Sequence, residues 1–259
     1  MKCDFLRSSN DAIEQFVAFW QEMDLASGDV RVHPADRPYI EAGRAGPTQL
    51  QLDVLPIPVN GNLWTADVVI LALNPNFDRV AQANWVRANP EAARILAASE
   101  KRNIKQSHEA GDCPFYDLDT RLVSHPGALY WRSGFKFKSI ASELTREWDV
   151  SLDDVYREIA SRVAVLQLLP YRSRKFGHHH VLDVAPSSNQ ARILAQALSA
   201  DKGKLLIAQR QIRQWGFDFP SNQPNVIVYD PQREALRASL SLSSRAGPSI
   251  LERLRRRHF

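Results

Sequence analysis

Val68 to Leu73 is a run of six apolar residues that ends at Asn74-Pro75-Asn76. An apolar run without alternation, closed by turn residues, predicts a strand buried on both faces, as in parallel sheets. Three further stretches have the same form. Val163 to Leu169 stops at Pro170-Tyr171-Arg172-Ser173-Arg174, Lys204 to Ala208 at Gln209-Arg210, and Asn225 to Tyr229 at Asp230-Pro231-Gln232. Helical spacing fills the intervals. Residues 11–23 place Ile13, Phe16, Val17 and Trp20 on one stripe, widened by Phe19, with Asn10 or Asp11 as cap. Residues 91–101 have helical composition, and Tyr130-Trp131 opens a segment running to about Trp148. Residues 151–161 carry Val155 and Ile159 at core spacing. Pro186-Ser187-Ser188 starts a helix to about Ala200, with Ser187 as its cap.

The remaining segments are irregular. Leu50 to Val59 alternates, contains Pro56 and Pro58, and predicts a short edge strand. Asn60-Gly61 is a tight-turn signal leading into the first apolar run. Residues 24–49 read as loop. Residues 103–127 read as a long loop with Phe115 and Tyr116 at its middle; a loop of that length in a compact domain is functional or disordered, and its aromatics argue against disorder. Strands alternating with helices predict one α/β domain over residues 1–259, built on a four-stranded parallel sheet flanked by helices. A helix and loops occupy 1–59, the core 60–245 and a basic tail 246–259. Open parallel sheets bind ligands beyond the carboxyl ends of their strands. Asn74-Pro75-Asn76, Tyr171-Arg172, Gln209-Arg210 and Asp230-Pro231 therefore share one rim, over which the 103–127 loop folds.

Composition narrows the class. With 44% hydrophobic and 24% charged residues in 259, the chain has the make-up of a soluble globular protein with a sizeable core. No apolar run approaches the ~20 residues that span a bilayer, and Met1 to Arg7 lacks an apolar signal core. Cys3 and Cys113 give no disulfide framework. A cytoplasmic protein without a membrane partner is expected. The net charge of +4 permits a nucleic-acid partner. Leu251 to Phe259 holds four arginines, which read either as a phosphate grip or as a solvated helix end. His178-His179-His180 has no accompanying ligand motif, so no metal is expected. No phosphate-binding glycine loop and no Gly-x-Ser-x-Gly elbow is present, which leaves kinase, dehydrogenase and serine-hydrolase chemistry without support.

A buried strand ending in Asn74-Pro75, followed by a loop with Pro114-Phe115-Tyr116, resembles the uracil-DNA glycosylase superfamily. Leu73-Asn74-Pro75-Asn76 is similar to the Gly-x-Asn-Pro-Gly turn of its mismatch-specific branch. Asp230-Pro231-Gln232 stands where the family has His-Pro-Ser or Asn-Pro-Ser. The resemblance covers about residues 60–245. It implies the family's four-stranded parallel core, DNA as partner, no cofactor, a monomer, and hydrolysis of the N-glycosidic bond of a damaged or modified base. Three departures bear on the substrate. Asn76 replaces the glycine, Asp230 replaces His or Asn, and Pro170-Tyr171-Arg172 stands where the family carries an Asn after its second strand. They point away from plain uracil.

By that resemblance Asn74 positions the attacking water. Asp78 is a candidate general base, with a helix N-cap as its ordinary role, and Asp230 is the third catalytic candidate. A flipped base needs an aromatic plane, for which Phe115 or Tyr116 is the candidate. Pro75, Asn76 and Phe77 shape the pocket, and Tyr171, Arg172 and Arg210 hold a base edge or phosphate. The competing functions are a DNA-binding protein that has lost catalysis and an unrelated α/β enzyme acting on a small molecule.

Overall fold

The structure, a computed structural model, describes residues 8–25, 30–234 and 238–256. Cys3 and the end of the basic tail, Arg257 to Phe259, lie outside the described residues. In chain order the elements are α1 (Ser9–Gln21), β1 (Val59–Asn60), β2 (Val68–Ala72), α2 (Arg79–Ala88), α3 (Pro90–Lys105), α4 (Pro126–Trp131), α5 (Lys138–Trp148), α6 (Leu152–Arg162), β3 (Val163–Gln167), α7 (Pro186–Ala200), β4 (Leu205–Ala208), α8 (Ile212–Trp215), β5 (Val226–Val228) and α9 (Gly247–Arg255).

The four apolar runs become β2, β3, β4 and β5, mutually parallel in the order β3-β2-β4-β5. Each of the first three is buried on both sides because alternate residues serve different layers. Val69, Leu71, Ala164, Leu166, Leu206 and Ala208 pack with α1 and α7. Val68, Ile70, Val163, Val165, Leu205 and Ile207 pack with α5, α6 and α9. The sheet is nonetheless mixed and five-stranded, which corrects the purely parallel, four-stranded expectation. Val59 and Asn60 run antiparallel along the β3 edge, opposite Leu166 and Val165. The strand expected over Leu50–Val59 is confined to its end, since Pro56 and Pro58 bring no N–H to a ladder. Asn60-Gly61 is likewise no hairpin turn, because β1 pairs with β3 and not with β2. Gly61 has φ +124°, and a Cβ there would lie 2.5 Å from the Val163 carbonyl oxygen. Only glycine lets the chain cross β3 so closely.

Helix boundaries differ from the periodicity for local reasons. Ser8 caps α1, and Asp11 completes the capping box. Ala185 precedes α7 with Pro186 at its first turn, while Ser187 lies inside the helix, its N–H donating to Asp36 Oδ1 at 2.9 Å. The segment expected from Tyr130 to Trp148 breaks between α4 and α5. In α2 only Trp85 is buried, so it lacks an apolar stripe to betray it. As far as Arg256 the tail is not an extended arm. Ile250, Leu251 and Leu254 anchor α9 in the core. Arg255 pairs with Glu147, Arg256 with Glu252, and Arg253 donates to the Gly203 carbonyl. Among the described residues no helix is long and apolar enough to cross a membrane.

The chain runs from β2 outward to β3, then returns across β2 to β4. The α6 crossover packs in one layer and the α7 crossover in the other. The strand order therefore switches direction between β2 and β4, and a crevice opens beyond their carboxyl ends.

Candidate functional site

A cavity of about 760 Å³ occupies that crevice. Its floor follows from strand alternation. The face that carries Val68 and Ile70 continues to Ala72, that of Val163 and Val165 to Gln167, and that of Leu205 and Ile207 to Gln209. Ala72 and Gln167 are paired in register, and Asn60 sits opposite Val165 on the β1 edge. All four residues line the cavity. Gln167 is 8% exposed and Asn60 4%, yet Gln167 Oε1 and Asn60 Oδ1 have no hydrogen-bond partner among the described residues. Buried polar atoms are almost always paired, so two unpaired amide oxygens on residues that line one cavity set this floor apart from the rest of the core.

The segment from Tyr116 to Gly127 closes over this floor. Asn60 Nδ2 donates to Asp117 Oδ2 at 2.8 Å. His125 Nδ1 lies 3.3 Å from Asp117 Oδ1, and its Nε2 lies 3.1 Å from Gln82 Oε1. A Cβ on Gly127 would fall 2.1 Å from Asp117 Oδ1, so the two ends of this segment come together around a glycine. Phe77, Tyr116, Tyr130 and Trp131 supply aromatic walls. At the mouth stand Arg174, Lys175 and Arg210, all exposed.

Asn74 sits just past the end of the central strand. Its Nδ2 donates to Ser173 Oγ at 2.8 Å, with longer contacts of 3.4 Å to the Pro75 and Tyr171 carbonyls. Ser173 Oγ in turn donates to the Lys175 carbonyl at 2.9 Å. The amide nitrogen is thus tied to the rim, and the amide oxygen takes no hydrogen bond from a described residue. Pro75, Asn76 and Phe77 extend the same wall.

Eight of the sequence candidates line the cavity: Asn74, Pro75, Asn76, Phe77, Asp78, Tyr116, Arg172 and Arg210. Two of these have structural roles. Asp78 caps α2, its Oδ1 accepting from the Val80 and Ala81 N–H groups at 3.0 Å, with Arg174 Nε 3.6 Å from Oδ2. The Ala81 hydrogen bond, and more weakly Arg174, holds its carboxyl below the usual range, which makes it a poor proton acceptor. Arg172 is buried, 2.6 Å from Glu100 Oε1, with Nε donating to the Leu55 carbonyl and its guanidinium 5.3 Å over the Phe77 ring. It braces the wall instead of gripping a phosphate.

Three candidates fall outside the cavity. Phe115 is fully buried behind the lid, edge-on to Trp131 and Phe137 at 5.1 and 6.2 Å, so it offers no plane to a base. Tyr171 turns into the α1–α7 layer, where its hydroxyl donates to Asp36 Oδ2 at 2.6 Å and accepts the His33 N–H at 3.2 Å. Asp230 ends the edge strand β5, one strand beyond the cavity. Its Oδ1 accepts from the Gln232 and Arg233 N–H groups at 2.8 and 3.2 Å and closes a turn.

Lys136 was not singled out by the sequence pattern. It is 2% exposed, lines the cavity, and donates from Nζ to the Ala238 carbonyl at 2.6 Å. Nζ lies 4.9 Å from the Tyr130 ring centroid and 5.3 Å from that of Trp131. Burial, aided by the Arg210 charge, pulls its ammonium down to about 7. The consequence for stability has a definite sign. The unfolded chain keeps this proton up to about 10.4, whereas the folded chain releases it from about 7. Stability therefore rises with pH between those limits, and chemical denaturation at several pH values should show a smaller rise in Lys136→Met.

Other reactive side chains do not converge here. Burial pushes the Cys113 thiol up to about 12, so it is no nucleophile. His178 Nε2 bonds the Thr48 carbonyl oxygen at 2.7 Å. Among the described residues no three His, Cys, Asp or Glu side chains gather into a ligand set.

Searches of protein-family models, curated proteins and solved structures return no match to this chain.

The floor residues carried a readable signal. Gln167 interrupts an otherwise apolar strand, and Gln209 follows the buried face of β4 by two residues. Asn60 was hidden by its turn-like Asn-Gly pairing. Asp117 sits in a single helical turn and His125 and Lys136 in irregular chain, where no periodicity assigns a facing direction.

Proposed function

We propose that the protein hydrolyses the N-glycosidic bond of a damaged or modified base turned out of DNA into this cavity. The observation that carries the reading is the placement of Asn74. It lies just past the central strand at the switch point, is held by Ser173, and borders a cavity whose floor holds two amides with unpartnered oxygens. In this reading the Asn74 amide oxygen accepts a hydrogen bond from water and aims that water at the sugar carbon. Cleavage leaves negative charge on the base and positive charge on the sugar, and fixed dipoles that meet this charge lower the barrier. Gln167 and Asn60 read the polar edge of the base, with Tyr116 and Trp131 along its faces. Arg174, Lys175 and Arg210 attract the flanking phosphates. Asp230, outside the cavity, does not oppose charge developing on the base.

The opposing reading is a DNA-binding protein without catalysis. It is favoured by the engagement of the cavity carboxylates: Asp78 caps a helix and Asp117 holds Asn60. A base-release assay decides between them. Duplex and single-stranded DNAs carrying uracil, deaminated purines, alkylated bases or modified cytosines are incubated with the protein and scored for abasic sites. Release that disappears in Asn74→Ala supports hydrolysis; salt-sensitive binding with no release from any substrate supports the binder. Asp78→Asn keeps the cap and removes the charge. Its melting temperature and base release are expected to match those of the parent, and a collapse of release alone would reinstate Asp78 as the base.

A further inference from the structure

Lys136 has no part in the hydrolysis just described, and its position is a costly one for a lysine. The side chain is almost wholly buried, and no carboxylate among the described residues pairs with it; its partner is a neutral carbonyl, that of Ala238. Lys204, only half-buried, donates to three carbonyls at the far end of the sheet, those of Leu63, Trp64 and Ala66. Lys136 instead borders the same cavity as Asn74, beside the Tyr130 and Trp131 rings. Arg210, on the cavity rim, adds a like charge to its surroundings. A desolvated lysine beside another cation is the arrangement that favours a free amine, and a free amine condenses with carbonyl compounds.

Resting on the glycosylase reading, we propose that Lys136 is a nucleophile for the aldehyde that base removal leaves in the same cavity, giving the protein a strand-nicking activity at abasic sites. The open-chain abasic sugar carries its aldehyde at C1′. The Nζ lone pair attacks C1′ to form a carbinolamine, which loses water to become a protonated imine. The imine acidifies C2′–H, whose proton passes to water. That electron pair forms the C2′=C3′ bond, and the C3′–O bond breaks with the phosphate as leaving group. Water then hydrolyses the imine and restores the amine. No oxidant or reductant is consumed. The burial that holds the amine at about 7 keeps a large fraction unprotonated at neutral pH.

The test uses the full chain and a DNA duplex with a preformed abasic site, so that it does not depend on base release. Sodium borohydride reduces an imine to a stable secondary amine and fixes the protein to the DNA. The expected results are a covalent adduct on a denaturing gel, cleavage on the 3′ side of the abasic site without borohydride, and loss of both in Lys136→Gln. Peptide mapping of the wild-type adduct should place the link on Lys136, a readout that does not require the variant to fold. Absence of an adduct, or a link on rim Lys175 or on the terminal amine, would overturn the proposal. The two readings fail separately. Base release without trapping leaves a glycosylase with no lyase step, whereas trapping at Lys136 without base release keeps the lysine and removes the glycosylase.

Discussion

Asn74→Ala is expected to lower base release by about 10²–10³-fold, the loss seen when one preorganised polar group is taken from a transition-state site. The geometry explains why so small a truncation should matter. Asn74 is not a loose rim residue. Its amide nitrogen is anchored on Ser173 Oγ, itself fixed on the Lys175 carbonyl, so the amide oxygen is set before substrate arrives. A water held by that oxygen needs no reorganisation at the moment of reaction. The substitution should leave DNA affinity and its salt dependence intact, because Arg174, Lys175 and Arg210 remain at the mouth and set the electrostatic attraction. Single-turnover release and a binding titration at two salt concentrations measure the two quantities. Equal losses in both would assign Asn74 a folding role through the Ser173 contact and remove the carrying observation.

How far the sequence foretold this arrangement depends on what each residue faces. The four apolar runs announced the parallel strands because burial on both faces leaves no alternation to confuse with a helix. The edge strand read over Leu50 to Val59 was placed too long, because only Val59 of that stretch pairs, joined by Asn60 beyond Pro58. The rim was found at Asn74, where an apolar run stops on polar residues. The same criterion misled at Tyr171 and Asp230: a residue beyond a strand end has lost the strand's alternation, and its direction is set by the following turn. Tyr171 turns inward to Asp36, and Asp230 folds back on its own backbone. Counting alternation to the last residue of β3 identifies Gln167, and carrying it a single residue past β4 identifies Gln209, since they share a face with Val165 and Ile207. Of Phe115 and Tyr116, both read as candidates for an aromatic plane, only Tyr116 borders the cavity. Adjacent residues in a short helical turn diverge, so one packs behind the lid and the other lines the cavity. The Asp117–Asn60 and Lys136–Ala238 contacts span 57 and 102 residues. Contacts at such separations are consequences of the tertiary fold and leave no local trace.

Arg172→Met is expected to destabilise the fold by roughly 3–5 kcal/mol, the cost of removing one partner of a buried ion pair. The side chains of Arg172 and Glu100 are 7% and 12% exposed and lie 2.6 Å apart. Methionine leaves the Glu100 carboxylate without its cation in a low-dielectric wall, strips the Leu55 carbonyl of the Arg172 Nε donor, and uncovers the Phe77 ring. The penalty belongs to the orphaned carboxylate more than to the lost attraction, and a second substitution tests that assignment. In Arg172→Met/Glu100→Leu both charges are gone, and most of the lost stability should return, because a matched apolar pair is often no worse than a buried ion pair. Urea denaturation of the parent, the single variants and the double variant yields the coupling energy directly. A double variant as unstable as the sum of the singles would show that the bond from Arg172 to Leu55, not the pairing with Glu100, holds this wall. The same set separates architecture from chemistry. A double variant that refolds with base release intact makes Arg172 a brace for Phe77, and one that refolds without it gives the guanidinium a direct role toward the base.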